Sequence, residues 1–464
     1  MSSRFDRRGF LQVGGAASLG YLFTGPAVSV AQTKGANDRL KVAGIGVGGK
    51  GRSDIEQAGK LMEVVGLCDI DESDYGLGGA TKKFPKAKAF TDFRKMMDAI
   101  GKEVDAYTIS TPDHMHALPA AMAIRAGKHV YVQKPLAHSV FEAHLLRKLA
   151  AEHKVCTQMG NQGTAESGLR RAVELIQGGV IGNVKEVHVW TNRPIWPQAP
   201  EVTKPLPKMP VPKTIHWDEF LGGAPYRDYN KGYTPFKWRG WWDYGTGAIG
   251  DMACHTANMA FMALKLGHPV SAVADAEGVN PFTCPSSAHV VLGFPARGDM
   301  PPVTLNWYEG KKDDKKRTPP QELLAKVLKK GEKLVDSGSI LVGDKGILYS
   351  PNDYGAAFRI TPSALTEGMN VTKPEKLPVN GKGDQGQKNE WVEAIKANDP
   401  KKALANFDYA SYLAAAFLLG NVAIRTGKGF QFDGETLECK GAPEAAKYIK
   451  TEYRKGWDML EGKS

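Results

Sequence analysis

Asp251 and His255 stand four residues apart in the run Gly250-Asp251-Met252-Ala253-Cys254-His255. On a helix continuing to about residue 266 they share a face, because side chains at i and i+4 stack one above the other. Asn258 falls on that face too. A carboxylate beside an imidazole suits proton abstraction: imidazole titrates near neutral pH, and the carboxylate can orient it or grip a neighbouring hydroxyl. Lys134, in Gln133-Lys134-Pro135, brings a cation able to hydrogen-bond a reacting oxygen and lower its pKa. Oxidising a secondary alcohol needs a proton acceptor, a donor to the oxygen and a hydride acceptor facing the carbon. His255 reads as the general base, Lys134 as the oxygen donor and Asp251 as the orienting group. Whether Lys134 or His255 finally holds the proton is left open by spacing. No metal is expected, since adjacent Cys254 and His255 point about 100° apart on a helix.

The hydride acceptor has to be positioned by the rest of the chain. Residues 39–45 read as a buried strand, followed by Gly46-Val47-Gly48-Gly49-Lys50-Gly51 and a helix from Arg52. A second strand over 63–68 ends at Asp69. In this setting a GxGxxG binds a dinucleotide. Gly46 permits the turn, Gly48 lets the pyrophosphate approach the backbone, Gly51 lets helix and strand pack closely, and the helix N-terminus faces the phosphates. An overlapping triplet, Gly44, Gly46 and Gly49, also fits, but Gly44 belongs in the strand. Asp69 would accept hydrogen bonds from the adenosine ribose and repel a 2′-phosphate, which favours NAD over NADP. Helix and strand signals then alternate over 93–99, 104–110, 111–126 and 128–132. That alternation calls for an α/β Rossmann domain, a doubly wound parallel sheet, over residues 38–158. Its strand ends carry Gly46, Asp69, Thr111 with Pro112, and Gln133 with Lys134, where ligands of such sheets bind.

From residue 159 to about 450 the strands, such as 184–190, 288–294 and 303–308, lack intervening helices. An α+β domain with a large, mainly antiparallel sheet is expected, with 451–464 as a tail. Asn161 and Gln162, just after a strand over 155–159, and Arg193 and Arg239 are candidate substrate contacts. Trp190, Trp196, Trp238, Trp241 and Trp242 read as core and loop anchors. Residues 194–237 and 309–338 read as long excursions, the second charged and mobile.

The chain has 464 residues and a net charge of +11, enough for two or three domains and too evenly spread for a nucleic-acid stripe. The basic run from Lys311 to Arg317 is broken by Asp313 and Asp314 and reads as a solvated loop. The five cysteines, Cys68, Cys156, Cys254, Cys284 and Cys439, show no CxxC spacing and read as small buried hydrophobes. Asp6-Arg7-Arg8-Gly9-Phe10-Leu11-Gln12 resembles a twin-arginine export motif, and Ser29-Val30-Ala31 offers a cleavage site. Residues 1–31 are therefore expected to be a twin-arginine signal peptide that sends a folded protein, cofactor included, to the periplasm.

The fingerprint at Gly46, the segment Thr111-Pro112-Asp113-His114-Met115-His116, Gly127-Lys128-His129-Val130, Gln133-Lys134-Pro135 and the Asp251-to-His255 spacing together resemble the Gfo/Idh/MocA oxidoreductases. So do Asn406-Phe407-Asp408-Tyr409 and Gly420-Asn421-Val422-Ala423, which are typical of a glycine-rich exported branch. The usual family triplet is Glu-Lys-Pro, so Gln133 departs from it, and Asn258 stands where many relatives have Asp. The resemblance implies NAD(P)-dependent hydride transfer to or from a hydroxyl of a sugar, cyclitol or glycoside. It adds His116 as a cofactor contact and a homodimer or homotetramer formed through the open sheet face; tightly bound NAD is expected from export, because an exported enzyme cannot draw on the cytoplasmic NAD pool. Two alternatives accompany this reading: a glycoside-cleaving enzyme that cycles bound NAD through oxidation, elimination and reduction, and a non-catalytic nucleotide- or sugar-binding protein.

Overall fold

The computed structural model describes residues 39–462. The export motif at Arg7-Arg8 and the cleavage site at Ala31 lie outside those residues. Six parallel strands form the first sheet: β1 (Lys41–Ile45), β2 (Glu63–Cys68), β3 (Lys88–Phe90), β4 (Ala106–Ile109), β5 (His129–Gln133) and β6 (Thr157–Gly160). Their order is β3-β2-β1-β4-β5-β6, so the winding reverses between β1 and β4. Loops leaving those two strands part there and open a crevice. Val42, Ala43 and Ile45 of β1 are at most 2% exposed, as a strand covered on both faces requires. The helix Val140–His153 starts at a capping box in which Ser139 and Glu142 satisfy each other's backbone N–H groups.

β6 runs to Gly160, past the boundary expected at 158, so Asn161 and Gln162 follow directly from a strand end of this sheet. The nucleotide-binding half is also not contiguous in sequence. The helix Gly383–Ala397 lays its fully buried Trp391 into the cluster formed by Val42, Leu67, Ala106, Tyr131 and Cys156.

The second sheet has ten strands: β7 (Val184–Trp190), β8 (Ser271–Glu277), β9 (Ser287–Phe294), β10 (Val303–Lys312), β11 (Lys315–Lys316), β12 (Gly338–Gly343), β13 (Ile347–Ser350), β14 (Arg359–Thr361), β15 (Phe430–Asp433) and β16 (Glu438–Lys440). The order is β14-β13-β12-β7-β10-β9-β8-β15-β16, with β11 on β10. Every pair is antiparallel except β7 with β10. An α/β Rossmann sheet beside a large, mainly antiparallel one is the architecture expected.

Two expectations fail in detail. The charged stretch 309–338 is not a structureless excursion but carries strand and helix. β10 continues to Lys312 and turns through Asp313 and Asp314, both at positive φ, into β11. Positive φ at both central residues is the twist-matched hairpin turn, and Arg317 and Lys312 both pair with Asp275. The expected helix from Asp251 to 266 is two helices, Gly247–Thr256 and Asn258–Ala263. The break falls where the Asn258 amide reaches out to Thr164 Oγ1 at 3.0 Å and accepts from the Tyr409 hydroxyl at 2.6 Å.

The helix Phe407–Thr426 is long and apolar enough to cross a membrane by length and composition, yet 83% of that window is buried inside the fold. It is a core helix. A Cβ on its Gly420 would stand 2.6 Å from Ile249 Cδ1, so glycine there lets it lie close against the helix that carries Asp251 and His255.

Candidate active site

The first glycines leave β1 in a turn that side chains would obstruct. Gly46 has φ +74°, and a Cβ there would meet the Ser110 backbone at 2.7 Å. A Cβ on Gly51 would fall 1.9 Å from the Gly46 carbonyl oxygen, so only glycine lets the helix Lys50–Gly59 start this close to the strand. Gly44 lies inside β1. The turn thus uses Gly46, Gly48 and Gly51, although Gly49 also has positive φ. Asp69, at the end of β2, accepts from the N–H groups of Val47 and Gly48 at 2.8 and 2.9 Å and from that of Asp71 at 3.0 Å. Burial raises its pKa against those three donors. A cradle that tolerates no Cβ, closed by a carboxylate at the end of β2, fits a dinucleotide.

This turn opens onto a cleft of about 820 Å³. Gly46, Gly48, Asp69, Thr111, Pro112, Gln133 and Lys134 all line it. Its far wall comes from the 194–237 excursion and the residues after it, among them Ile215, Tyr229, Phe236 and Arg239. The excursion is fastened to the ribose loop. Glu72 N–H donates to Thr214 O and His216 N–H to Ile70 O, both at 2.8 Å, and His216 Nε2 meets Glu72 Oε1 at 2.6 Å.

At the inner end of the cleft Lys134 Nζ donates to Asp251 Oδ1 at 2.7 Å and to the Asp251 carbonyl at 2.8 Å. Arg239 Nε reaches the same carboxylate at 3.3 Å. Burial works to raise the pKa of Asp251, but Lys134 and Arg239 prevail and bring it to about 2. Asp251 is therefore an anion throughout the working range and cannot serve as proton carrier. His255, one turn on and 4% exposed, makes no hydrogen bond to Asp251, and its Nδ1 is buried without a partner. Burial holds its pKa well below the ordinary value, helped by Lys134, so the imidazole is neutral.

Asp251, His255, Asn161 and Gln162 do not themselves line the cleft, and among them lie uncompensated polar atoms. Asn161 is 0% exposed, and neither end of its amide has a partner among the described residues. Gln162 Oε1 and Asp353 Oδ1 are likewise buried and unpartnered. Several contacts draw these segments together. The Tyr354 ring stands edge-on to His255 at 4.9 Å, its carbonyl would lie 2.7 Å from a Cβ on Gly163, and Gln387 Nε2 donates to Asn161 O at 2.6 Å.

Three sequence candidates are corrected. Asn258 donates to Thr164 and accepts from Tyr409, is 0% exposed and does not line the cleft, so it ties helices together. Arg193 does not line the cleft; its guanidinium bonds Asn192 and its carbonyl accepts from Gly310 N–H beyond β10's pairing with β7. His116 is 1% exposed, with ring nitrogens 2.7 and 2.8 Å from the carbonyls of Pro135 and Thr111. It braces the turn carrying Lys134 and is absent from the cleft wall. The expectation that Asp251 orients His255 also changes, since Asp251 binds Lys134 and Arg239 instead.

Other residues act where sequence reasoning gave them no role. Asp113, in the motif of His114 and His116, accepts from Thr246 N–H and Oγ1 at 3.1 and 2.7 Å, and Asn421 Nδ2 donates to Thr246 O at 2.7 Å. Thr246 immediately precedes the helix Gly247–Thr256, so both fix where that helix starts. Their membership of recognisable motifs was the available signal. Asp54, 0% exposed, is the second case. It binds Lys50 at 2.6 Å and the fully buried Lys388 at 2.8 Å, and accepts from Ser110 Oγ at 2.9 Å and Gln133 Nε2 at 2.8 Å. A carboxylate thus stands beside position 133 although the residue there is an amide.

The described cysteines are all free thiols, and burial pushes Cys254 up to about 12. The tryptophans singled out above are at most 6% exposed.

Residues 40–161 match the model of an oxidoreductase family, Gfo/Idh/MocA, for its NAD-binding Rossmann fold, and residues 168–286 match the same family's C-terminal alpha/beta domain. A 1-carboxy-3-chloro-3,4-dihydroxycyclohexa-1,5-diene dehydrogenase of Comamonas testosteroni is 30% identical over 129 residues, 28% of this chain and 32% of that protein. A glycosyl hydrolase family 109 protein of Akkermansia muciniphila is 30% identical over 154 residues, 32% of each. The matched stretch thus spans about a third of these relatives' length. Among solved structures, the WlbA dehydrogenase of Bordetella pertussis in complex with NADH and UDP-GlcNAcA covers 85% of this chain and 99% of its own, at 16% identity and a TM-score of 0.58; that likeness is one of fold.

Proposed function

From a chain that carries the NAD-binding and C-terminal domains of the Gfo/Idh/MocA oxidoreductase family, we propose an NAD-dependent oxidoreductase acting on a secondary hydroxyl of a sugar, cyclitol or glycoside. The observation that carries this reading is the Lys134–Asp251 pair, whose lysine lines the cofactor cleft, with the unpartnered Asn161 amide and His255 imidazole buried outside its wall. Buried polar atoms without partners are uncommon in folded proteins. A polyhydroxylated ring offers both the donors and the acceptors that these atoms lack.

Bound NAD supplies the hydride acceptor. Lys134 Nζ donates a hydrogen bond to the reacting oxygen, and Asp251, anionic at any working pH, keeps that ammonium oriented. Neutral His255 takes the hydroxyl proton in the oxidation direction and returns it in reduction. Asn161 and Gln162 bind neighbouring hydroxyls, while Arg239 shares the Asp251 carboxylate. Asp69 selects NAD over NADP.

The test uses Lys134→Met and His255→Asn, assayed with NAD over a panel of sugars, cyclitols and glycosides. Each is expected to lower kcat/KM by roughly 10²–10⁴. Unchanged turnover in both would overturn the assignment.

A second reading is favoured by the fastened excursion over the ribose loop and by the family 109 relatives. A retained cofactor that is oxidised and reduced within one cycle would cleave glycosides without net NADH. Glycoside cleavage with no NADH released identifies this mode, and a need for fresh NAD at each turnover excludes it. Export through the twin-arginine route, with cofactor aboard, belongs to the same proposal. Replacing Arg7 and Arg8 by Lys should then leave the protein in the cytoplasm, and unaltered periplasmic delivery would refute export by that route.

A further inference from the structure

A second cavity, of about 360 Å³, shares no wall residue with the cofactor cleft. It lies at the low end of the range for small-molecule sites. Its floor is Arg425, in the last turn of the helix Phe407–Thr426. The guanidinium carbon sits 4.0 Å from the centre of the Tyr448 ring and 4.9 Å from that of Trp242. Arg425 forms no ion pair among the described residues; burial opposes its charge, and a hydrogen bond with Tyr448 and the charge of Asp243 offset that only in part. A guanidinium taken largely out of water ordinarily has a carboxylate or phosphate to meet.

The other groups facing the cavity do not supply that anion. Asp243 favours the Arg425 charge at a distance, but its ion pair is with Arg227. Glu142 accepts from His138 N–H, Ser139 N–H and the Tyr453 hydroxyl, and burial lifts it to about 7. Burial depresses His114 and His138 to about 3 and 4, so both imidazoles are neutral. Lys447, exposed at the rim, adds a second cation, Thr451 adds a hydroxyl, and Ala224, Pro225 and Trp242 make an apolar wall.

We propose that this cavity binds a small anion, a carboxylate or phosphate monoester carried on a flat apolar body, with Arg425 gripping the anion and Trp242 against the body. An anionic ligand replaces water at a guanidinium that the fold already holds between two rings, so little side-chain order remains to be imposed on binding. The walls of the cavity are close in sequence to the catalytic residues. His138 follows Lys134 by four residues, and Trp242 and Asp243 precede the helix bearing Asp251.

The test uses benzoate and phenyl phosphate, with benzamide as the neutral analogue and inorganic phosphate as the anion without a body. Binding is followed by calorimetry and tryptophan fluorescence on protein saturated with NAD, so that the glycine turn is already filled. Saturable binding of benzoate or phenyl phosphate at one per chain is expected, together with loss of affinity by about tenfold or more in Arg425→Met and no binding of benzamide. Whichever probe binds tighter distinguishes a carboxylate from a phosphate ligand. Lys447→Glu, at an exposed position, tests the same site should Arg425→Met fail to fold, and it should weaken either anion severalfold. Failure of both anions to bind, equal binding of benzamide, or affinities unchanged by Lys447→Glu or by a folded Arg425→Met would overturn the proposal.

Discussion

Asp251 carries two cations and no proton, and this divides the work among the three side chains. Lys134 and Arg239 hold Asp251 at about 2, which on the proposed function leaves neutral His255 as the acceptor. The sign of the pH dependence follows. A base whose pKa is depressed stays competent further into acid, so the acid limb of kcat for oxidation should fall below pH 6.5, the ordinary histidine value. In Asp251→Asn one cause that raises the His255 pKa is gone, and the limb should move lower still while kcat drops. A limb above 6.5, or one unaffected by His255→Asn, would reassign the base.

Gln133 makes a second case at this scale. Its amide donates to Asp54 and its Oε1 accepts from Lys134 N–H at 3.3 Å, so it links the buried charge cluster to Lys134. Gln133→Glu would set a carboxylate 2.8 Å from another and should destabilise the fold by about 1–3 kcal/mol in denaturant unfolding. Lys388→Met takes away one of the two lysines of a fully buried Asp54 and should cost up to about 3–5 kcal/mol. Wild-type stability in both would show that the cluster does not support the site. The amide at 133 was legible in the sequence; the carboxylate that complements it was not, because Asp54 and Gln133 are far apart in the chain and meet only once β1, β4 and β5 lie side by side.

At the scale of elements, strands β1, β2 and β5 and their glycine turn were readable because a parallel strand buried on both faces is a near-continuous apolar run ending in turn residues. The helix Gly383–Ala397 was not foreseen as a cover for that sheet. Gln387, Lys388 and Glu390 are all 0% exposed, so polar residues sit on its inward face and erase the apolar stripe that marks a packed helix. The break at residue 257 was hidden similarly, since the side-chain bonds of Asn258 to Thr164 and Tyr409 are tertiary. The excursion 194–237 was visible only as proline and aromatic density, whereas its attachment to the ribose loop gives it a role. Glu72→Gln weakens the contact with His216 and should speed release of bound NAD, read by stopped-flow fluorescence. An unchanged off-rate would mean that the excursion does not retain the cofactor.

Over the whole molecule, a nucleotide sheet that borrows a helix from beyond residue 380 joins a ten-stranded sheet, and the cofactor cleft lies between the glycine turn of the one and the excursion of the other. On the proposed function, the cofactor, Lys134 and the Asn161 and Gln162 amides therefore depend on one another's placement, and NAD should remain with the protein through purification. The most direct measurement adds each member of a sugar, cyclitol and glycoside panel to NAD-loaded protein in a single turnover and follows the near-ultraviolet absorbance of reduced nicotinamide. At least one ring substrate is expected to produce that absorbance with the wild-type protein, and none with Lys134→Met carrying the same NAD. Absence of nicotinamide reduction across the panel, or equal reduction in Lys134→Met, would contradict the account.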